Sequence, residues 1–196
     1  MLLKEILSAT AIALTFIAFY PYIRSIILGT VKPHVFSWVI WGTTTFVVFL
    51  AQRDDNAGVG AWPLGVSGLI TISIAIMAFI KRTDISITKT DWMFFFTAML
   101  SLPFWYFTSN PVWAVVILTI VDTLGFGPTI RKVYAQPHSE SVLFFNLFML
   151  RNITVILALE NYSVTTMLFP AAIAIASMFV IILITYRRRE LACDNV

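Results

Sequence analysis

The chain has 196 residues, of which 59% are hydrophobic and 12% charged, and a formal net charge of +3. Soluble globular domains carry roughly 25% charged residues, so this composition predicts a membrane protein. The charge is small and forms no basic stripe with interleaved aromatic residues, which argues against nucleic-acid binding. A single cysteine, Cys193, excludes a disulfide within the chain. No metal-binding motif is present, and we predict no cofactor.

Seven apolar segments approach the roughly 20 residues that a helix needs to cross the bilayer. We predict membrane-spanning helices at 6–29, 35–52, 61–80, 92–108, 112–134, 141–159 and 163–186, followed by a cytoplasmic tail at 187–196. The first segment is not read as a signal peptide, because its apolar run continues to Ile27 and Glu5 suits a signal start poorly. The sequence therefore predicts an all-α polytopic membrane protein with one membrane domain, residues 1–196.

The basic residues lie mostly on one side of this seven-span arrangement. Lys4 and Arg53 fall on the other side, and Arg151 falls within a span. The positive-inside rule then predicts an outer N-terminus and a cytoplasmic C-terminus, and we expect a bacterial inner (plasma) membrane. The ten residues on the inner side are Arg24, Lys32, Lys81, Arg82, Lys89, Arg131, Lys132, Arg187, Arg188 and Arg189.

Two segments share an unusual motif: PYIRSIILGTVKPHVFS at 21–37 and PTIRKVYAQPHSES at 128–141. Pro21 and Pro128 are 107 positions apart, as are Pro63 and Pro170, whereas the two Pro-His pairs are 104 apart. We therefore predict two copies of a three-helix unit, at 6–80 and 112–186, joined by a linker helix at 92–108. A single linking helix gives both copies the same orientation in the membrane.

This three-plus-one-plus-three arrangement, with a proline near the cytoplasmic end of each first repeat helix, resembles the PQ-loop superfamily, which includes the SWEET sugar transporters. The resemblance covers residues 6–186. Tyr22 and Thr129 stand where the family motif has glutamine after the proline. The resemblance implies a transporter bundle with a central cavity between the two halves. It also implies that the third helix of a unit packs between the other two. A stripe of small residues on the third span fits that packing: Ala61, Gly65, Gly68, Thr71, Ala75 and Ala78.

The prolines of the first and fifth spans predict local weakness in those helices. Proline removes a backbone hydrogen bond and kinks a helix, and in a membrane the freed carbonyl needs another partner. We interpret Pro21, and Pro128 with Gly125 and Gly127, as hinges of an inner gate. A static kink is the alternative interpretation.

The Pro-His-x-x-Ser segments open the second and sixth spans at the predicted cytoplasmic surface. Ser37 or Ser141 can bond free N–H groups in the first turn of each helix. His34 and His138 are compatible with a pH-sensitive gate and with a repeated turn-and-cap.

Asp122 and Arg151 lie in the middle of predicted spans. Each is about ten residues from a surface, which at 1.5 Å per residue is roughly 15 Å and therefore near the midplane. Burying either alone costs about 2.5–3.5 kcal/mol, so we expect them to pair or to face one aqueous cavity. Asp122 is then a site for a proton or for a cationic part of a substrate, or one half of a structural ion pair.

Further polar and aromatic residues are candidates for the same site. Thr119 shares a helical face with Asp122. The sixth span adds the amides of Asn146 and Asn152, at positions matched in the first repeat by Gly42 and Val48. The aromatic residues Trp41, Phe144 and Phe145 stack on a ring-shaped ligand in one interpretation, and pack or face lipid in the other.

The sequence thus predicts a transporter that moves a small polar solute by alternating access. A sugar, a nucleoside or vitamin, and an amino acid are all compatible with it, as is proton coupling. A non-transporting receptor or sensor on the same fold is the alternative. A retinal protein would need a lysine in its last helix, and 163–186 contains none. No enzymatic activity is predicted, because groups for catalysis do not gather at one depth. The expected partners are the lipid bilayer and the solute, and a homo-oligomer is compatible with the sequence.

Overall fold

The structure is a computed structural model that describes residues 1–30, 33–81, 87, 89–138 and 140–193. These residues form helices and no β-strand, which confirms the all-α prediction. Lys32 and Arg82, two of the residues used to predict orientation, lie outside the described residues, as do 194–196 of the predicted tail. The helices are α1 (Leu2–Ile27), α2 (Val35–Asp54), α3 (Trp62–Ile80), α4 (Lys89–Thr108), α5 (Pro111–Leu124), α6 (Phe126–Ala135), α7 (Val142–Ala158) and α8 (Val164–Cys193).

Within the described residues, five helical stretches are long and apolar enough to cross a membrane. They are Leu2–Ile27, Val35–Asp54, Gly58–Ile80, Pro111–Ala135 and Val164–Leu191. The stretch at 111–135 contains both α5 and α6, and the one at 58–80 contains the short 3₁₀ turn Gly58–Ala61 before α3. α7 is apolar but has 17 residues, and α4 is not among the five. These lengths and compositions are compatible with an integral membrane protein.

The last helix extends beyond its predicted end. α8 continues to Cys193, so the described part of the predicted tail, residues 187–193, is helical and continuous with the last span. Arg187 Nε donates to the Tyr134 carbonyl at 3.1 Å, and Arg188 Nε donates to the Pro137 carbonyl at 3.0 Å. These bonds to the segment before α7 stabilise the polar end of α8. The composition of this end does not by itself predict that the helix continues.

The helices pack in a network that positions α3 against both α1 and α2. In the second half of the chain, α8 contacts α5, α6 and α7 in a similar way. The two halves meet where α1 packs along α7 and where α2 packs along α5, while α4 lies against α5 and α2.

Small residues allow α2 and α3 to approach closely. A Cβ atom at Gly65 would lie 3.0 Å from the Phe49 ring, and one at Gly68 would lie 3.1 Å from the Phe46 nitrogen. The six small residues predicted to form a stripe are all buried, which confirms the predicted contact face.

One end of the bundle, which we call the Lys4 end, brings together the start of α1 and the connections at 55–61 and 159–163. The Glu160 N–H donates to the Ala57 carbonyl at 3.1 Å, and Ser8 Oγ donates to the Val59 carbonyl at 2.7 Å. Lys4 contacts the Leu159 carbonyl. The bonds of Glu160 and Lys4 join the two halves of the chain and close this end.

The opposite end, which we call the Arg187 end, contains the last turns of α1, α3, α6 and α8. Lys81 Nζ donates to the carbonyls of Ile26 and Ile27 at 2.8 and 2.7 Å. Arg187 Nε donates to Tyr134 near the end of α6. In both cases a cation stabilises the carbonyl end of a neighbouring helix.

Candidate functional site

Asp122 and Arg151 both lie inside the helix bundle rather than on its outer face. Their side chains are 8% and 2% exposed. Buried polar side chains accompany them: Thr15 on α1 and Asn152 on α7 bond Arg151, Thr44 on α2 bonds Asp122, and Thr119 lies one turn before Asp122 on α5. These residues form what we call the polar layer.

The Asp122 carboxylate connects α5 to α2. Thr44 Oγ1 donates to Asp122 Oδ1 at 2.8 Å, and the same hydroxyl lies 3.0 Å from the Trp41 carbonyl. In the part of the chain that the structure describes, the only ion pair is Arg187–Glu190 near the end of α8. Asp122 is therefore held by a neutral hydroxyl and not by a cationic side chain of the described residues.

The Arg151 guanidinium connects α7 to α1 and α3. Its Nε donates to Thr15 Oγ1 at 3.2 Å, and Nη2 donates to the Pro63 carbonyl at 3.2 Å. Nη1 donates to Asn152 Oδ1 at 3.3 Å, and the Phe148 ring lies 5.4 Å from the guanidinium carbon. Every acceptor of this buried cation is neutral.

Direct pairing of Asp122 with Arg151, one of the two predicted alternatives, is wrong in this structure. The reason is the helix packing, because α5 faces α2 while α7 faces α1. The other alternative is one aqueous cavity that both residues face. Two surface grooves are present among the described residues, and neither is lined by Asp122 or Arg151. One groove lies between α5, α6 and α8 beside Phe126 and Phe179, and another lies beside Pro21 on α1. The two charges are instead enclosed by protein atoms.

Three other predicted polar residues have different environments. Thr119 is buried one turn before Asp122, and its hydroxyl has no hydrogen-bond partner among the described residues. Asn152 donates to the Phe148 carbonyl at 2.8 Å and accepts from Arg151. Asn146 is half-buried and bonds the Val142 carbonyl of its own helix at 2.9 Å. Thr119 and Asn152 belong to the polar layer, whereas Asn146, five residues before Arg151, lies on another face of α7.

Sequence reasoning missed Thr15 and Thr44, the hydroxyl partners of the two charges. A signal was present, however. Thr15 lies 107 positions before Asp122, and Thr44 lies 107 positions before Arg151, which is the separation of the proline pairs.

Aromatic rings form a layer next to the polar layer, towards the Arg187 end. Trp41 stands edge-on to Trp38 at 5.5 Å between ring centroids, and Trp38 stacks on Tyr22 at 5.0 Å. Phe148 stands edge-on to Phe19 at 5.8 Å. We call these five residues the aromatic layer. Trp41 and Phe148 each lie one turn before a polar-layer residue of the same helix.

Phe145 does not belong to this layer. It is buried among apolar residues of α6 and α8, including Val133, Val180 and Ile184. Phe144 contacts Phe145 at 5.4 Å. The structure thus places Phe145 in the hydrophobic core, and the interpretation of this ring as a stacking surface for a ligand is not supported by its position.

The two predicted hinges differ in the structure. α1 runs through Pro21 without interruption, whereas Gly125 separates α5 from α6 just before Pro128. A Cβ atom at Gly125 would lie 3.1 Å from Trp41 Nε1, so glycine permits this close approach of α2. A Cβ at Gly127 would meet nothing within 4 Å.

The helix caps correct the predicted role of the Pro-His-x-x-Ser segments. His34, not Ser37, is the N-cap of α2, and its Nδ1 accepts from the Ser37 N–H at 3.4 Å. Ser141 is the N-cap of α7 and accepts from the Phe144 N–H at 3.3 Å. His138 is exposed before α7. The two N-caps are therefore 107 positions apart, so helices α2 and α7 begin in the register of the proline pairs.

Comparisons with protein-family models, with curated proteins and with solved structures found no match to this chain. The geometry of the site is that of two buried charges at contacts between the halves of the chain. Each charge is bound by a threonine hydroxyl from the other half.

Proposed function

We propose that this chain is an integral membrane transporter that moves a small polar solute by alternating access. The moving parts are two three-helix units, α1–α3 and α5–α8, with the broken fifth span counted as one helix and α4 as the linker. One observation is the main support for this proposal. Thr15–Arg151 and Thr44–Asp122 both join the two units, and a shift of 107 positions relates one contact to the other.

Contacts at the Arg187 end support the same pairing of units. Lys81 donates to the Ile27 carbonyl and Arg187 to the Tyr134 carbonyl, and Ile27 and Tyr134 are again 107 positions apart. In each unit a cation in the C-terminal part of the third helix thus binds the last turn of the first helix. A repeated contact of this kind is expected when one three-helix block has been duplicated.

The packing of the units is suited to a rocking motion. Exchanging the first unit for the second converts the α1–α7 contact into the α5–α2 contact. Two units related in this way by an axis along the membrane normal can tilt about their shared contacts, so that one end of the bundle closes as the other opens. The polar layer lies at those shared contacts.

In the proposed cycle, the contacts at the Lys4 end fit a state that is closed at that end. The connections at 55–61 and 159–163 bind each other there. The distribution of basic residues predicts that this end faces outward. The aromatic layer then lies on the cytoplasmic side of the charges, where it would separate the polar layer from the cytoplasm until the units tilt.

The chemistry of the polar layer suits a small solute with several polar groups. A carboxylate, a guanidinium, an amide and hydroxyl groups lie there, and the Trp41 ring lies one turn away. A sugar, a nucleoside or vitamin, and an amino acid each match part of this set, and proton linkage through Asp122 is compatible with all three.

The test is flux into liposomes that contain the purified protein. Saturable uptake of one solute down its gradient supports a transporter, whereas saturable binding without flux supports a receptor. We expect Asp122→Asn to lower uptake at least tenfold while the protein remains folded. The matched control is Asp54→Asn, which changes an exposed carboxylate and should leave uptake unchanged. Normal uptake by the Asp122→Asn variant would show that Asp122 is not part of the solute site.

A further inference from the structure

We propose that the C-terminal end of α5 binds a sodium ion through Asp122, Thr44 and Thr119. The use of this ion to drive solute movement rests on the transporter function proposed above, whereas the binding of the ion does not. No metal site is predicted from the sequence, and the sodium site departs from that prediction. Its ligands are a single carboxylate with hydroxyl and carbonyl oxygens.

The first observation that supports the site is the charge of Asp122, which no cationic side chain of the described residues compensates. This carboxylate is 8% exposed, and its hydrogen bond comes from the Thr44 hydroxyl. Arg151 does not neutralise it, since its donors bind Thr15, Pro63 and Asn152. An ionised carboxylate inside a membrane protein is costly unless a positive charge accompanies it.

The second observation that supports the site is the environment of the Thr119 hydroxyl. This oxygen is buried and has no hydrogen-bond partner among the described residues. Three other buried threonine hydroxyls, those of Thr15, Thr71 and Thr154, bond the carbonyl four residues earlier, each at 2.8 Å. Buried polar atoms are nearly always satisfied, so an unpartnered one requires an explanation. Because Thr119 is one turn from Asp122 on the same face of α5, a shared cation explains both residues.

The third observation that supports the site is the course of the backbone after Asp122. α5 ends at Leu124, and the carbonyl end of a helix carries partial negative charge. Pro128 has no N–H to offer the Leu124 carbonyl, the partner that an ordinary residue would bond. Interrupted membrane helices expose carbonyl oxygens of this kind, which can coordinate cations.

The ligands also indicate the charge of the ion. Oxygen ligands favour hard cations such as sodium. One carboxylate balances one positive charge, whereas a divalent ion would leave a net charge buried. Among the described residues, no three His, Cys, Asp or Glu side chains group together as a divalent site would require. A proton on Asp122 would balance the charge but would leave the Thr119 hydroxyl without a partner.

The experiment measures the melting temperature of the purified full-length protein in detergent, with sodium chloride replaced by choline chloride at constant ionic strength. No solute is added. We expect a rise of about 3–6 °C when sodium reaches roughly ten times its Kd, and a further rise with the logarithm of the sodium concentration. Lithium and potassium chloride are tested in parallel, and a potassium response equal to that of sodium would contradict a sodium site.

Three variants separate the site from general effects on folding. Asp122→Asn should abolish the sodium response, and Thr119→Val should need about tenfold more sodium for the same rise in melting temperature. Thr71→Val is the matched control, since it removes a buried hydroxyl that bonds its own helix, and it should keep the wild-type response. Equal losses in Thr119→Val and Thr71→Val would overturn the proposal. So would a melting temperature that depends on pH but not on sodium.

The melting and flux measurements together distinguish an error in the proposed ion site from an error in the proposed transporter function. A sodium response without flux of any tested solute leaves the ion site intact and contradicts transport. Solute flux that is equal in sodium and choline, in a protein that sodium does not stabilise, leaves transport intact and contradicts the ion site.

Discussion

At the residue scale, threonine hydroxyls are the partners of both buried charges. A hydroxyl can donate to a carboxylate and accept from a guanidinium, so the same residue type serves Asp122 and Arg151. Thr44 does the former and Thr15 the latter. The charges thus stabilise two separate contacts between the units, rather than one ion pair between them.

The number of bonds distinguishes the two charged residues. Arg151 reaches acceptors on α1, α3 and its own helix, whereas Asp122 accepts from one hydroxyl. This difference supports a mainly structural role for Arg151, and it fits the ligand-binding role proposed for Asp122.

Arg151→Lys should lower the stability of the protein by about 1–3 kcal/mol, because an ammonium group cannot reproduce a planar set of bonds to three acceptors. Thermal or denaturant unfolding in detergent measures the change. Arg24→Lys, the same substitution at an exposed position of α1, is the control and should be nearly neutral. Equal stability of the two variants would show that the bonds of Arg151 contribute little.

At the element scale, the fifth span is the one in which a proline accompanies an interruption. α1 contains Pro21 and stays continuous, whereas Gly125 separates α5 from α6. Glycine flanks Pro128 on its N-terminal side at two positions, and glycine weakens a helix by roughly 0.5–1 kcal/mol relative to alanine. This difference in sequence accounts for the different behaviour of the two prolines.

Two glycine substitutions test how closely the connecting segments must pack. A Cβ at Gly60 would lie 2.6 Å from the Leu159 nitrogen, a backbone atom that cannot move aside easily. Gly60→Ala should therefore destabilise the protein by about 1–3 kcal/mol and loosen the Lys4 end. Gly127→Ala, in open space within α6, should be neutral or stabilise by about 0.5–1 kcal/mol.

Unfolding measurements compare these two variants directly. A neutral Gly60→Ala would contradict the close contact between the connections. Gly127→Ala also bears on the predicted hinge, since a variant that is more stable but transports more slowly would indicate that bending at α6 limits the rate.

At the scale of the whole molecule, closure of the Lys4 end depends on contacts between the two halves of the chain. Ser163 hydrogen-bonds to the Asp55 carboxylate, and the Asn161 amide donates to the Asp55 carbonyl at 2.8 Å. Alternating access requires these contacts to break in each cycle. A covalent link at this position should therefore trap one state.

We expect Asp55→Cys combined with Ser163→Cys to form a cross-link under mild oxidation, since the two native side chains touch. Cys193→Ser provides the background, so that the native thiol does not react. Uptake into liposomes should fall to the level of empty vesicles and recover on reduction. Each single-cysteine variant should remain active under oxidation. Unchanged uptake by the cross-linked protein would contradict movement at this end.

The sequence by itself determined the helical class, the approximate limits of the helices and the burial of Asp122 and Arg151. These properties depend on the length and hydropathy of each segment, because a bilayer or a helical core imposes them on every segment separately. The sequence also contained the 107-residue separation that relates Thr15 to Asp122 and Thr44 to Arg151.

Only the tertiary structure decided which partners the two charges have. The rotation of each helix, and the neighbour against which it packs, put α5 on α2 and α7 on α1, and so separated the charges. The same packing placed Phe145 in the apolar core and left Thr119, beside Asp122, without a hydrogen-bond partner among the described residues. Such outcomes depend on contacts between residues far apart in the chain, which the periodicity of a single segment does not encode.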